Sequence, residues 1–200
     1  MRSFKIAFLT CLLLLVPLGV SAQRPWEVKT NLLSLPALVL NAGVEYQPVQ
    51  HLSVNLPVYF GTLDWFSREA KFRTLALQPE IRYWFRPQMK GIFVGAHATV
   101  LWYNVAVGGD YRYQDHGGKT PSVGAGVDVG YKIRLGKAED SPWGLEFGLG
   151  VGLVPLRYDV YYNVDNGRLA AEDRQKTYWG PDQAFVTLTY GFGTSKTGKR

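Results

Sequence analysis

The stretch VGAGVDVGYKIRL, residues 123–135, alternates two kinds of residue without a break. Its odd-numbered positions carry apolar side chains, and its even-numbered positions carry glycine, Asp128, Lys132 or Arg134. Because successive side chains of a β-strand point to opposite sides, this alternation predicts a strand with one apolar and one polar face. In a soluble protein the apolar face would cover the core. The rest of the sequence favours the opposite orientation.

The same period of two recurs along the chain, whereas helical periodicity is scarce after residue 22. The predicted strands span residues 27–33, 38–46, 52–61, 73–85, 92–103, 123–135, 143–153 and about 184–192. Apart from the short first loop at 34–37, short connections at 47–51, 86–91 and 136–142 alternate with long ones at 62–71, 104–120 and 154–183. This predicts an all-β fold, an eight-stranded antiparallel up-and-down transmembrane β-barrel. Asn166 and Gly167 form a hairpin signal, which predicts that the last two strands extend as a ribbon.

The first 22 residues have the pattern of a signal peptide. A basic start is followed by a short apolar run and by the small residues that precede a cleavage site, here expected after Ala22. The predicted organisation is therefore a signal peptide at 1–22, an outer-membrane β-barrel at 23–192 and a short basic tail at 193–200. The single cysteine, Cys11, lies in the signal peptide, so the exported chain has no disulfide and no thiolate metal site.

The charge of the chain does not predict a nucleic-acid partner. The formal net charge is +6, and the loss of Arg2 and Lys5 with the signal peptide lowers it by two, to +4. The remaining charges alternate in sign and form no basic block.

Glycines on the polar faces of the predicted strands indicate which face is inside. The strand at 143–153 has glycine at four of its five polar positions, and glycine weakens an exposed strand because it packs against nothing. Inside a narrow barrel, glycine leaves room for bulky inward residues such as Tyr59, Tyr103 and Phe185. We therefore expect the polar faces to line the lumen and the apolar faces to contact lipid.

The charges on these polar faces nearly balance. The predicted inward-facing cations are Lys29, Arg82, Lys132 and Arg134, and the anions are Glu27, Glu45, Glu80, Asp128 and Glu146. Unpaired charge in a low-dielectric interior costs several kcal/mol per ion, so near-neutrality favours a closed polar lumen over an open pore. The predicted ion-pair network consists of Glu45, Glu80, Arg82, Asp128, Lys132, Arg134 and Glu146. Within it, Lys132 and Arg134 are the candidate partners of Asp128.

Aromatic residues lie near both ends of the predicted strands. Toward the short turns are Trp26, Tyr46, Tyr83, Trp84, Tyr131, Trp143, Tyr190 and Phe192, and toward the long loops are Phe60, Trp65, Phe66, Trp102 and Tyr103. Two aromatic girdles are typical of a transmembrane barrel, one at each membrane interface.

The long loops carry the residues predicted to contact partners. These candidate loop contacts are Trp65, Tyr111, Tyr113, Asp115, His116, Tyr161 and Tyr162. Exposed aromatic and Arg residues are typical of binding surfaces, and loop arginines could instead contact lipopolysaccharide phosphates. Asp110, Asp115 and His116 form the one constellation that could serve an enzyme at the rim, but the roles needed for catalysis are not recognisable.

No catalytic residue, metal site or cofactor site is predicted. The three histidines, His51, His97 and His116, lack metal-ligand spacing, and His97 is expected to make a hydrogen bond in the lumen. The glycine-rich stretches lie inside strands, whereas a dinucleotide-binding loop opens a helix.

Several stretches resemble a known family. They are WEVKTNLLSLPALVLNAGVEY (26–46), EIRYWFRP (80–87), GAGVDVGYKIRL (124–135), WGLEFGLGVGL (143–153) and YWGP (178–181). Together they resemble a family of small outer-membrane β-barrel proteins, typical of Bacteroides-like Gram-negative bacteria and classed as a domain of unknown function. The resemblance implies an outer-membrane location and no known catalytic residues.

The expected function is structural or interactive: a closed barrel, not an enzyme, whose outward loops form a binding surface. The expected partners are outer-membrane lipid and lipopolysaccharide, the barrel-assembly machinery and an unknown extracellular ligand or protein. A narrow pore for small solutes is the alternative, and a soluble periplasmic barrel that binds a ligand in its lumen is a lesser one.

Overall fold

The computed structural model describes residues 25–65, 70–136, 141–164 and 167–193. The predicted signal peptide, its cleavage after Ala22 and residues 194–200 of the predicted tail lie outside these residues. The strands are β1 (Trp26–Asn31), β2 (Val39–Val49), β3 (Leu52–Trp65), β4 (Ala70–Leu77), β5 (Glu80–Arg86), β6 (Lys90–Val107), β7 (Tyr111–Asp115), β8 (Ser122–Arg134), β9 (Trp143–Tyr162) and β10 (Leu169–Phe192). Two 3-10 turns, Leu32–Ser34 and His116–Gly118, complete the regular structure of this part of the chain. None of its helical segments is long and apolar enough to cross a bilayer.

The ten strands form one antiparallel sheet whose pairing returns to its starting strand. β1 pairs with β2 on one side and with β10 on the other. The order continues from β2 through β3, β4 and β5, β6, β8 and β9 to β10. The sheet is therefore a closed ring, with one surface facing an interior and one facing outward.

The predicted number of eight strands is wrong, and the two additional strands have identifiable origins. The predicted strand at 73–85 is split into β4 and β5, because Pro79 lacks the N–H that a continuous ladder needs. Both halves lie between β3 and β6. β7 lies within the predicted loop at 104–120 and pairs with β6 and β9 beyond the end of β8. A path around the ring therefore crosses eight strand positions. β4 and β5 share one of these positions, and β7 and β8 share another.

The hairpin of β9 and β10 extends far beyond the segments predicted for it. The two strands pair from Tyr190 opposite Trp143 up to Leu169 opposite Tyr161, which confirms the predicted ribbon. Most of the predicted loop at 154–183 is therefore strand. The hydrophobic alternation weakens there, but the backbone groups still need partners, so the ladder continues.

Side chains alternate between the two surfaces as the opening stretch predicts. In β8, Val127 and Val129 are 57% and 53% exposed on the outer surface, whereas Asp128 and Lys132 are buried inside. Among the described residues, 21 buried side chains are polar or charged and only 8 are hydrophobic. The ring thus has a polar interior and an apolar outer surface.

An aromatic cluster packs inside the ring near the end with the short turns. It consists of Trp84, Met89, Phe93 and Phe185. The expectation that Trp84 belongs to an outer girdle is wrong, because alternation along β5 points Tyr83 and Phe85 outward and Trp84 inward. The indole Nε1 of Trp84 donates to the Ser53 Oγ at 2.8 Å, which satisfies its polar atom there.

Glycines of β8 and β9 make room for this cluster. The rings of Phe93 and Phe185 cover Gly130 and Gly148 so closely that a Cβ at either glycine would overlap the ring. The prediction that inward glycines leave room for Phe185 is therefore confirmed at Gly148.

We expect Gly148→Ala to destabilise the ring by about 1 to 3 kcal/mol, because the added methyl group would lie 2.6 Å from the Cε2 of Phe185 and from the Val129 carbonyl oxygen. Gly43→Ala is the matched control, since its Cβ would meet nothing closer than 3.4 Å. The measurement is urea unfolding of the two purified variants. Equal stability of both would contradict the packing described here.

Candidate functional site

Seven ionisable side chains form a connected group inside the ring, in the half of the strands with the short turns. This charge network consists of Glu27, Lys29, Glu45, Glu80, Arg82, Lys132 and Glu146. The Lys29 Nζ lies 2.7 and 2.9 Å from the two carboxylate oxygens of Glu146 and also pairs with Glu45. Lys132 pairs with Glu27 and lies 3.3 Å from the Glu146 Oε1. Glu146 therefore joins Lys29 of β1 to Lys132 of β8, and it also pairs with Arg82 of β5.

The guanidinium of Arg82 connects three carboxylates of the charge network. Its Nε donates to the Glu80 Oε1 at 2.5 Å, and its Nη1 donates to the Glu146 Oε2 at 2.9 Å and to the Glu45 Oε2 at 3.3 Å. Asn55 donates to the other Glu80 oxygen at 2.9 Å. Such multiple hydrogen bonds are what compensate charges withdrawn from water.

Five of the seven residues predicted for the ion-pair network meet in the charge network. Asp128 does not contact Lys132 or Arg134, its candidate partners, and instead lies beside His97. Arg134 is half-buried and donates from Nη2 to the Gln88 carbonyl at 3.4 Å. The network also contains Glu27 and Lys29, which the alternation predicts to face inward but which are not members of the predicted network. Their alternation in β1 was the available signal, whereas their partners across the ring were not visible in the sequence.

Three carboxylates of the charge network, those of Glu27, Glu45 and Glu146, have oxygen atoms within 4.8 Å of one another. This spacing could hold a metal ion, but Lys29 and Lys132 already form ion pairs with these carboxylates. Charge compensation at this place is therefore supplied by lysine ammonium groups.

The space left around the charge network is small. One void of about 20 Å³ lies against Lys29 and Arg82, and another of about 10 Å³ lies against Glu27 and Lys132. Each has room for about one water molecule. The described side chains thus fill the interior from the charge network to the aromatic cluster.

A larger cavity of about 530 Å³ opens above the charge network, toward the end that carries β7. This mouth cavity is lined by Asn31, Leu33, Ser34, Tyr59, Ala76, Gln78, Thr99, Leu101, Val154, Leu156, Tyr178, Pro181, Asp182, Gln183 and Ala184. A register shift between Pro181 and Gln183 places Asp182 on the interior side of β10. Gly152 on the neighbouring strand provides the space that this carboxylate fills.

His97 lies between two aspartates, of which Asp182 lines the mouth cavity. Its Nε2 is 2.8 Å from the Asp182 Oδ2, and its Nδ1 is 3.4 Å from the Asp128 Oδ2. A neutral imidazole has one donor and one acceptor nitrogen, so only an imidazolium donates to both carboxylates. The hydrogen bond expected for His97 in the interior thus has acidic partners on both sides.

At the rim, the predicted constellation of Asp110, Asp115 and His116 is not assembled as a unit. The buried carboxylate of Asp115 accepts from the Tyr103 backbone N–H at 3.3 Å, and its burial raises the pKa of Asp115. The His116 Nδ1 lies 2.9 Å from the Oδ1 of Asp159, a residue of β9 that the sequence did not single out.

Asp159 is the centre of a rim clamp that also includes His116, Gly117, Asp173 and Arg157. The backbone N–H groups of Gly117 and Asp173 each donate to its carboxylate at 2.9 Å. Arg157 holds Asp173 through two hydrogen bonds of 2.5 and 2.9 Å. Burial raises the pKa of Asp159, but these backbone hydrogen bonds and His116 outweigh burial and lower it to about 2. The clamp ties the 3-10 turn after β7 to both strands of the β9–β10 hairpin.

Four of the seven candidate loop contacts lie together beside the rim clamp. The rings of Tyr111 and Tyr162 are 5.7 Å apart, and the guanidinium of Arg112 lies 4.7 Å from the centre of the Tyr161 ring. Tyr113 packs nearby, against Tyr158. Asp115 is buried below them, and His116 is held by the rim clamp. The side chain of the remaining candidate, Trp65, lies outside the described part of the chain.

Residues 7–192 match the family described as Protein of unknown function (DUF3575). The chain belongs to this family. The expected resemblance to a domain of unknown function is thereby confirmed, since the match covers nearly the whole sequence. No curated protein matches the chain significantly. Membership in DUF3575 assigns no activity, so any function must be argued from the arrangement of the residues.

We expect Lys29→Met to destabilise this DUF3575 member by about 3 to 5 kcal/mol, because Glu45 and Glu146 would each lose a buried partner. Arg157→Met is the control, since it removes one member of an exposed ion pair and should change stability little. Urea unfolding followed by tryptophan fluorescence measures both variants. If the two variants were equally stable, the network would not support the ring.

The rim clamp should weaken only in strong acid. Because the folded-state pKa of Asp159 lies below its unfolded value of about 3.9, the clamp contributes fully above that pH and loses its contribution as the pH falls toward 2. The amide chemical shifts of Gly117 and Asp173 should therefore titrate with a midpoint near pH 2. Asp159→Asn should remove this transition, whereas a midpoint near pH 4 would contradict the strength of the clamp.

Proposed function

We propose that this chain is an outer-membrane β-barrel protein that anchors itself through its apolar outer surface and displays its long-loop end for recognition. The observation that carries the proposal is the reversal of the usual distribution of side chains: charges are inside and large apolar side chains are outside. Exposure of an apolar surface to lipid hydrocarbon carries no hydrophobic penalty. A closed ring also pairs all backbone N–H and C=O groups along its strands, which lipid cannot hydrogen-bond.

The outer surface of β8 and β9 illustrates the argument. Val127 lies opposite Val151 and Val129 lies opposite Leu149, so four exposed apolar side chains are contiguous. Other strands present similar residues around the ring. Soluble monomers rarely expose contiguous apolar patches larger than a few hundred Å². Burial in a bilayer removes this surface from water.

Aromatic pairs near the short-turn end support the same proposal. Trp26 packs on Tyr46 and Trp143 packs on Tyr190, with ring centres 4.3 and 4.9 Å apart, and all four rings are exposed or nearly so on the outer surface. At the opposite end, Trp179 is 81% exposed. Amphipathic rings of this kind are typical of the two membrane interfaces of a barrel.

The filled interior favours an anchored display protein over the narrow pore. Neither void around the charge network can pass a solute, since each holds about one water molecule. The proposed partners are outer-membrane lipid and lipopolysaccharide, the barrel-assembly machinery during insertion, and an extracellular ligand or protein that contacts the rim tyrosines. The proposed role is not enzymatic.

Val127→Asp should block insertion, because a carboxylate at this place would face the hydrocarbon at a cost of about 2 to 3 kcal/mol. Val164→Asp is the matched control, because this valine is also exposed but lies near the tip of the β9–β10 hairpin, outside the proposed membrane region. Cell fractionation should place the unaltered protein and Val164→Asp in the outer membrane. Protease added to intact cells should cleave within 104–120 or 154–183. Recovery of the unaltered protein from the soluble periplasmic fraction without detergent would overturn the proposal.

A further inference from the structure

The mouth cavity combines apolar walls with an acidic floor. Ala76, Leu101, Val154 and Leu156 contribute apolar side chains to its lining, whereas Asp182 contributes the charge. None of the described residues that line the cavity is a lysine or an arginine. A volume of about 530 Å³ lies within the usual range of small-molecule sites.

Asp182, which lines this cavity, has one carboxylate oxygen without a hydrogen-bond partner among the described residues. Its side chain is only 6% exposed, and its Oδ2 is bonded to His97. Its Oδ1 is buried without a hydrogen-bond partner among the described residues. A buried carboxylate oxygen without a protein partner is stabilised by a hydrogen-bond donor, so a donor from a bound molecule would be favourable there.

The surroundings of Asp182 determine the charge that this donor should carry. Asp182 lines the cavity, and the His97 imidazole and the Asp128 carboxylate lie behind it. This group of three side chains retains net negative charge even when His97 is an imidazolium. The Oδ1 of Asp128 also lacks a hydrogen-bond partner among the described residues. An ammonium group matches this site, an uncharged hydroxyl matches it less well, and a carboxylate would be repelled.

A metal ion does not fit the same groups. The two aspartates occupy opposite nitrogens of the His97 ring, so the imidazole stands between the carboxylates. For all three residues to bind one metal ion, the imidazole would have to break its hydrogen bonds with both aspartates. An organic cation with an apolar body can instead use the Asp182 oxygen and the aliphatic walls together.

We propose that the mouth cavity binds a small amphiphilic amine, with its ammonium group on the Asp182 Oδ1 and its apolar body against Leu101, Val154 and Leu156. This ligand site goes beyond the proposed anchoring role and depends only on the cavity, not on the membrane in which the ring resides. A failure of the location experiment and a failure of the binding experiment are therefore distinguishable.

The test uses the full exported chain refolded in detergent micelles, with leucine and valine methyl groups labelled for NMR. The probes are butylammonium, butanol and butyrate, which share a chain length and differ in the head group. Methyl signals of Leu101, Val154 and Leu156 report the cavity, and those of the outward Val127 and Val129 report simple partitioning into the micelle. Butylammonium should shift the cavity methyls with an apparent affinity about tenfold higher than that of butyrate, and butanol should be intermediate.

Two variants separate the head-group site from the apolar walls. Asp182→Asn keeps the size of the side chain and removes its charge, so it should abolish the preference for butylammonium. Ala76→Phe fills the cavity from its wall and should weaken all three probes. Asp173→Asn is the control, because this exposed aspartate of the same strand lies in the rim clamp and does not line the cavity.

Three outcomes would overturn the proposal. Butyrate could bind as well as butylammonium, Asp182→Asn could leave the preference unchanged, or the cavity methyls could shift only in parallel with Val127 and Val129. Preserved methyl dispersion of each variant shows that it is folded, so a misfolded variant is not counted as a loss of binding. If Asp182→Asn does not fold, Ala76→Phe and the order of the three probes still decide the question.

Discussion

The charge network is the constraint on which the rest of the structure depends. Buried charges are tolerated only when each finds partners, and here the partners come from strands far apart around the ring. Lys29 belongs to β1, Glu45 to β2, Arg82 to β5 and Glu146 to β9. Only closure of the sheet brings these strands to one centre, so ion pairing and ring closure stabilise each other.

The interior of the ring is packed differently toward its two ends. Beside the charge network, the rings of Phe93 and Phe185 fill the space over glycines of neighbouring strands, and Trp84 packs against Phe93. Toward the long-loop end, the interior widens into the mouth cavity, and the rim clamp holds the segments around it. The interior is thus filled at one end and open at the other, which agrees with the proposed outward display.

The predicted and observed structures differ where hydrophobic alternation or residue type alone does not determine the local structure. Pro79 interrupts a ladder that hydrophobic alternation treats as continuous, so one predicted strand becomes two. The upper part of the β9–β10 hairpin has mixed polarity, and its strand character comes from backbone pairing instead of a buried face. The residue type of Trp84 favours an outer girdle, whereas its position in the alternation of β5 places it inside.

The sequence by itself determined the class of the fold, the orientation of its faces and the inventory of inward charges, because all three follow from a period of two along each strand. Only the tertiary structure decided which charges meet, since the partners of Lys29 lie on other strands and their registers across the ring are not encoded locally. The same reason applies to the functional candidates. A bulge turns Asp182 inward beside His97, and Asp159, which no motif marked, becomes the centre of the rim clamp.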